Sequence, residues 1–493
     1  MSRRPRTRLV RAFLVAAMVA VVVPGVATVR GAALDDGYTC PSQTPPALGF
    51  SVPSYIDRNR PGGEPVSQVA QDGSIIVSAH GGTTHLYKDP SAGPGIPEYA
   101  AAYTNQVLNW RSADGGKTWK FTGFSGQEAG PHTVTSTGFS DPDLTMDAAG
   151  RIYNTEIDLA NDSVFSSPDD GQSWPRGTPV AGTGDRPWLT AADPDVLYLY
   201  INSTPLHYLQ KSTDGGLTFS VVTTSFPAEG KLIVDPKNPH HGLIGPYDKG
   251  VTISSDDGAT WKTYKGHLGI SQQFFGDAIA VDKAGWIYAA AAGGYGGSSD
   301  TTPNGAVTFN YFNRTTKQWQ HTPVSIPIPS GDALWPWAVA GANGRAAVVW
   351  YQNYAGHPNE FYIYAAYTRN AHGSLVKCSD GQKHLVPPRF RVVNASGRPI
   401  HVGYICLQGT TCNAEPNVQA GDRRLGDYFT VNYDHQGDLF IVSGDTRLPS
   451  PTGGPKVLSN PIFMRQTKGT PMLSEPIPDR PTRPLCQLPD CVD

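Results

Sequence analysis

Charge is scarce in this chain: Asp, Glu, Lys and Arg make up only 16% of its 493 residues. Aromatics reach 10%, so the scarcity of charge does not signal disorder. Cysteine is rare as well, and none of the six forms a Cys-x-x-Cys pair, which removes the usual zinc and redox spacings. There is no His-Glu-x-x-His, no Gly-x-Ser-x-Gly elbow, no Walker loop and no dinucleotide fingerprint. No segment after residue 33 approaches 18 consecutive apolar residues, so none reads as a spanning helix. Basic surplus is missing too. Six arginines fall in residues 1–33, and the remainder carries a formal charge of −9, which leaves no electrostatic case for a nucleic-acid partner. Glycine (54) and proline (43) are what the chain has in quantity, without the period of collagen. The composition predicts a turn-rich, all-β globular protein.

Residues 1–33 read as a secretory signal. Arg3 to Arg11 form a basic stretch, Ala12 to Val23 is an apolar run short for a bilayer, and small residues after Pro24 allow cleavage following Ala27 or Ala33. The alternative is an uncleaved anchor. Export makes disulfides the expected fate of Cys40, Cys378, Cys406, Cys412, Cys486 and Cys491. Cys406/Cys412 and Cys486/Cys491 are close enough to close small loops, but all fifteen pairings stay open.

The strongest signal is an internal repeat. Four segments fit Ser-x-Asp-x-Gly-x-Ser/Thr-aromatic: Ser112 to Trp119, Ser167 to Trp174, Ser212 to Phe219 and Ser254 to Trp261. The pattern suits a hairpin turn, with Asp accepting from backbone amides, Gly supplying positive φ and the aromatic buried against the sheet. A second element, strand–turn–strand, centres on Asp72, Asp147, Asp193, Asp235, Asp282, Ala342 and Asp434. Its middle copies lie 42 to 47 residues apart, the length of a four-stranded propeller blade. The count favours seven blades over six. Residues 34–54 form an N-terminal lead, 55–470 the propeller with insertions near 82–104, 293–304 and 371–425, and 471–493 a Pro-rich tail.

The four boxes resemble the Asp-box (BNR) repeat, and the chain is similar to the sialidase-like β-propeller superfamily. That resemblance implies boxes on the blade periphery and a ligand site at the axial mouth, where the starts of the inner strands converge. Each unit carries an acid shortly before its turn: Glu64, Asp141, Asp185, Glu229, Asp277, Asp332 and Asp427. Converging carboxylates could do acid/base work or hold a calcium ion; alternatively they are turn residues bonded to backbone amides. The family uses three arginines on the substrate carboxylate, an Asp acid/base and a Tyr nucleophile with a Glu partner. Candidates for the arginines are Arg60, Arg186 and Arg424 (or its neighbour Arg423). Glu64 or Glu229 would serve as the partner carboxylate, Tyr428 as the nucleophile, and Asp185, Asp277, Asp332 or Asp427 as the catalytic acids. Trp188, Trp335, Trp337 and Tyr428 follow these acids and would either stack on sugar rings or fill the inner sheets. Two functions follow as expectations: an exported glycoside hydrolase of exo-sialidase type, or a non-catalytic propeller that binds glycan or protein. No cofactor beyond the calcium option is implied, and the expected location is extracellular.

Overall fold

In a computed structural model of the chain, the residues described are 38–80, 107–125, 140–407 apart from gaps at 158–161, 176, 181–183, 204–205, 225, 229, 249, 267, 270–277 and 297–304, then 423–448, 459–482 and 485. The expected signal, the 82–104 insertion, Cys412, Cys486, Cys491, Glu229 and Asp277 lie outside them.

Seven antiparallel sheets stand in a ring, each an up-and-down run in sequence order from an inner to an outer strand. Blade 1 is Gly63–Val69, Ile75–His80, Val107–Ser112 and Lys120–Phe124. The inner strands of blades 2 to 7 are Ser140–Met146, Asp185–Ala191, Ile233–Val234, Ala278–Val281, Ala333–Ala340 and Thr430–Tyr433. Blade 7 takes its outer strands from the other end of the chain: Gly49–Phe50 and Ser54–Tyr55 both pair with Asn460–Lys468. The N-terminal lead is thus the clasp of the ring. It is fastened again by the Cys40–Cys378 disulfide to a hairpin (Ser374–Lys377, Lys383–Val386) inside the 371–425 insertion. Cys406 is also disulfide-bonded.

The core lies between blades. Tyr351 of blade 6 stacks on Phe429, which leads into blade 7, at 4.2 Å, and Tyr264 of blade 4 packs on Phe312 of blade 5 at 4.9 Å. The boxes form the turns between third and fourth strands. In each, the Ser hydroxyl donates to the Asp and accepts from the Gly amide, while the Asp accepts from the Thr or Ser amide and hydroxyl. In the third box those distances are 2.7, 2.9, 2.9 and 2.5 Å. The box glycines also touch the preceding blade: a Cβ on Gly116 would collide with Phe463, and one on Gly171 with Ile76. The degenerate fifth copy, which keeps Trp319, replaces the box with a bidentate ion pair from Arg314 to Asp235 of the preceding blade.

In such sheets the turns after the first and third strands share one end of the ring. The starts of the inner strands lie at the other end, as pairs such as Gly63 with His80 and Asp185 with Asn202 require. The boxes are therefore remote from the mouth. Asp214→Ala should cost about 1–2 kcal/mol of stability, the range for losing turn-bracing hydrogen bonds, and leave ligand binding unchanged. Chemical denaturation beside a binding assay tests this; lost binding at unaltered stability would put the boxes on the functional face.

Candidate functional site

Four inner strands begin in the same unusual way. Glu64, Asp141, Arg186 and Trp335 each precede a proline and hold φ of 47, 51, 55 and 50°. Ladder pairing breaks around each: between Gly63 and Val66, Ser140 and Asp143, Asp185 and Trp188, and Leu334 and Trp337. Proline lacks an amide hydrogen, so it fits where the ladder is interrupted. A left-handed non-glycine residue costs about 1–3 kcal/mol and persists where its surroundings enforce it. The bulge re-aims the side chain, and in blades 1, 2 and 3 the re-aimed groups are ionisable.

They meet. The carboxyls of Glu64, Asp141 and Asp185 lie close enough that each shifts the proton affinity of its neighbour. Glu64 is wholly buried; its Oε1 accepts from the Asp427 amide at 2.7 Å and its Oε2 lies 3.3 Å from His80 Nε2. The Arg186 amide donates to Asp141 at 3.2 Å, and its guanidinium lies 3.1 Å from Asp185. Arg423 pairs with Asp427. The result is a chain of three carboxyls running from a buried end at Glu64 to Asp185, whose side chain is 60% exposed. Burial and the neighbouring Glu64 charge push Asp141 up to about 7. Asp185 rises to about 6, through partial desolvation and then the Asp141 charge. Burial raises Glu64 as well, and pushes His80 down to about 4. Near pH 6 and below, Asp185 therefore holds a proton that it can present to solvent.

Beside it, three rings from different blades close over the axis. Tyr428 lies 5.2 Å from Trp188 and 6.0 Å from Trp337, and the two tryptophans are 6.0 Å apart. The Tyr428 hydroxyl donates to Pro142 O at 2.9 Å, and burial raises its pKa far above that of a free phenol. An axial cavity of about 300 Å³ adjoins these rings, with Asp143, Lys231, Trp335 and Asp427 also in its lining. Lys231 donates to Asp143 at 2.5 Å and to Leu144 O at 2.9 Å.

Of the residues expected at the site, Glu64, Asp185, Arg186, Asp427, Tyr428 and Trp188 come together. Arg60 does not: it pairs with Asp57 at 2.9 Å and covers the Phe121 ring on blade 1, because its loop is turned by the Asp57 carboxylate. Asp332 is buried against Asn353, whose side-chain oxygen accepts from the Asp332 amide at 2.6 Å, which is the turn-bracing alternative. Arg423, buried like its neighbour Arg424, pairs with Asp427. Trp188 and Trp335 are buried, as inner-sheet packing requires, yet both line the cavity. His80, Asp143 and Lys231 were not singled out as site residues. The legible signal was the residue-then-proline pair that opens four inner strands. Among the described residues no group of three or more His, Cys, Asp or Glu side chains is arranged to hold a metal.

No family model matches the chain. Over 290 residues it is 29% identical to a sialidase of Micromonospora viridifaciens, covering 53% of this chain and 37% of that protein. The chain is a seven-bladed β-propeller similar to the sialidases. It is also 25% identical over 285 residues to a xyloglucanase of Hypocrea jecorina (strain QM6a), covering 46% of this chain and 34% of that protein. The chain thus spans little more than a third of the length of either curated relative. Among solved structures, a Hadza microbial sialidase superposes with a TM-score of 0.38 at 13% identity, covering 60% of this chain and 65% of that one.

The carboxyl chain of this propeller has a thermodynamic signature. A carboxyl raised on folding favours the native state fully below about pH 4, and that contribution is lost as pH rises through the folded value, here about 7 for Asp141. Asp141→Asn should therefore gain in melting temperature relative to the parent between pH 5 and pH 8. A difference that is flat or that falls across this range would contradict the buried, protonated cluster.

Proposed function

We propose that this propeller is an exported glycoside hydrolase whose general acid is Asp185. The observation that carries the proposal is the row of carboxyls Glu64, Asp141 and Asp185 that three bulged strand starts bring together at the mouth of the ring, with raised proton affinity and one exposed end. A carboxylic acid that keeps its proton near neutrality can protonate a leaving glycosidic oxygen. Asp141 and Glu64 would keep Asp185 protonated through like-charge repulsion and shared protons. The matched sialidase and xyloglucanase are named for glycan cleavage, which supports the substrate class. Export rests on the leader pattern of residues 1–33 together with the Cys40–Cys378 disulfide. Among the described residues no helix is long and apolar enough to cross a membrane.

The general glycosidase reading has more support than the exo-sialidase one. A sialic-acid carboxylate would call for a clamp of free guanidinium groups, whereas Arg186 and Arg423 each face a carboxylate of this chain and Arg60 is held by Asp57. Those same ion pairs favour a second reading, a glycan-binding propeller without turnover. The acidic mouth also keeps calcium as a proposed ligand, tested by assay with and without chelator.

A panel of fluorogenic glycosides, sialosides included, decides between the readings. Hydrolysis by the parent should fall at least about a hundredfold in kcat for Asp185→Asn, with no loss of melting temperature near neutral pH, because the carboxyl removed is one that folding has raised. No turnover on any substrate, with retained binding on a glycan array, would establish the non-catalytic reading instead.

A further inference from the structure

The connection between the third and fourth strands of blade 6 is not a box turn. In its place stands the hairpin Ser374–Lys377 and Lys383–Val386, inserted between the third strand, His357–Thr368, and the fourth, Arg391–Asn394. The hairpin therefore springs from the end of the ring remote from the mouth. Its base is fastened there. The Ala371 amide donates at 2.9 Å to Gly344 O, in the turn after the first strand of the same blade, and His372 stacks on Trp286 of blade 5 at 4.4 Å.

Strand alternation gives the hairpin two faces. One is committed: His384 stacks on Tyr38 of the N-terminal lead at 3.8 Å, the Ser379 amide donates to Thr39 O at 2.8 Å, and the Cys40–Cys378 disulfide ties the same two segments. The other face sets Leu375 directly opposite Leu385 and Lys377 directly opposite Lys383, and all four side chains are exposed. The leucines are 70% and 54% exposed. Like charges directly opposite each other in a sheet repel, and no acid relieves this pair. Asp380, the one acid of the hairpin, is turned to His384 at 2.7 Å, and among the described residues neither lysine has an ion pair. An apolar pair beside an unneutralised basic pair matches a surface that is anionic on top and apolar beneath.

We propose that this face of the hairpin rests on an anionic phospholipid bilayer, with Leu375 and Leu385 at the acyl boundary and Lys377 and Lys383 on lipid phosphates. The chain after residue 33 carries a formal charge of −9, so such a membrane repels the body as a whole and only a local basic face can approach it. The course of the chain favours lipid over an acidic protein partner. The lead enters the fold at this hairpin, and only residues 24–37 separate Tyr38 from the apolar run Ala12 to Val23, at most about 50 Å of chain. Contact at this end also leaves the mouth, at the opposite end, open to substrate. Each lysine near an anionic surface contributes about a fivefold gain in partitioning, and each half-inserted leucine about the same. The expected association is weak and reversible, on the order of 10³ M⁻¹. The proposal goes beyond the glycan-acting reading and holds whether or not the protein turns over a substrate.

The test is sedimentation with sucrose-loaded vesicles of phosphatidylcholine, alone or in equal parts with phosphatidylglycerol. The protein used is the whole chain after residue 33, so that the apolar run contributes nothing. About half of it should sediment with the anionic vesicles at about 1 mM accessible lipid, little with the neutral ones, and binding should fade as salt is raised. Leu375→Ser with Leu385→Ser, and separately Lys377→Gln with Lys383→Gln, should each weaken partitioning at least about tenfold at an unchanged melting temperature; either pair serves if the other fails to fold. Lys120→Gln, at an exposed lysine of blade 1, should leave partitioning as it is. Absence of binding to both vesicle types, equal binding to both, or binding that survives in both paired variants would each overturn the proposal. Hairpin-dependent retention on immobilised polyglutamate without vesicle binding would also overturn it, in favour of an acidic protein partner. Because the readout is lipid binding by purified protein, failure here leaves the hydrolase reading untouched, and failure of that reading leaves this one standing.

Discussion

Closure of the ring is the constraint on which everything else depends. A single four-stranded sheet here has no core of its own: its large side chains are buried only against the neighbouring blades. The last blade is completed by Gly49–Phe50 and Ser54–Tyr55, which pair with Asn460–Lys468 about four hundred residues away in the sequence. The loop-closure entropy of such a contact is large in total but grows only slowly with length, and the buried inter-blade surface offsets it. The Cys40–Cys378 disulfide fastens the same lead from its far end.

The candidate site straddles this seam. Glu64 belongs to the first blade and Asp427 leads into the last, and the amide of one meets the carboxyl of the other at 2.7 Å. Asp141, Asp185 and Arg186 arrive from the next two blades. Until the ring shuts, these groups are solvated and far apart; once it shuts, three carboxyls must share one poorly hydrated space. That forced proximity, more than any single residue's chemistry, raises their proton affinity. The cost is met by the repeated turn and inter-blade contacts elsewhere in the ring.

The two ends of the ring divide structure from chemistry. At the far end, Ser-x-Asp-x-Gly turns and Asp-Gly turns fold by local hydrogen bonds within five or six residues, the box glycines packing on the preceding blade and the Asp-Gly turns bonding to the next. At the mouth, side chains are placed by bulges whose left-handed residues are tolerated only because neighbouring blades hold them.

This division also explains what could be read in advance. The box turns and the strand–turn–strand units are local, so the spacing of four boxes and seven such units pointed to an all-β propeller of four-stranded blades, seven in number, and a residue such as Asp214 declared its role through Ser212, Gly216 and Thr218 nearby. Glu64, Asp185, Arg186, Asp427 and Tyr428 were legible as candidates because each opens an inner strand. Their partners were not. Whether Asp332 joins the carboxyl chain or braces Asn353, that Arg423 pairs with Asp427, and that Arg60 turns back to Asp57 depend on which way a side chain leaves a bulge. That direction is set by packing across blades from distant parts of the chain, so only the closed tertiary structure decided it.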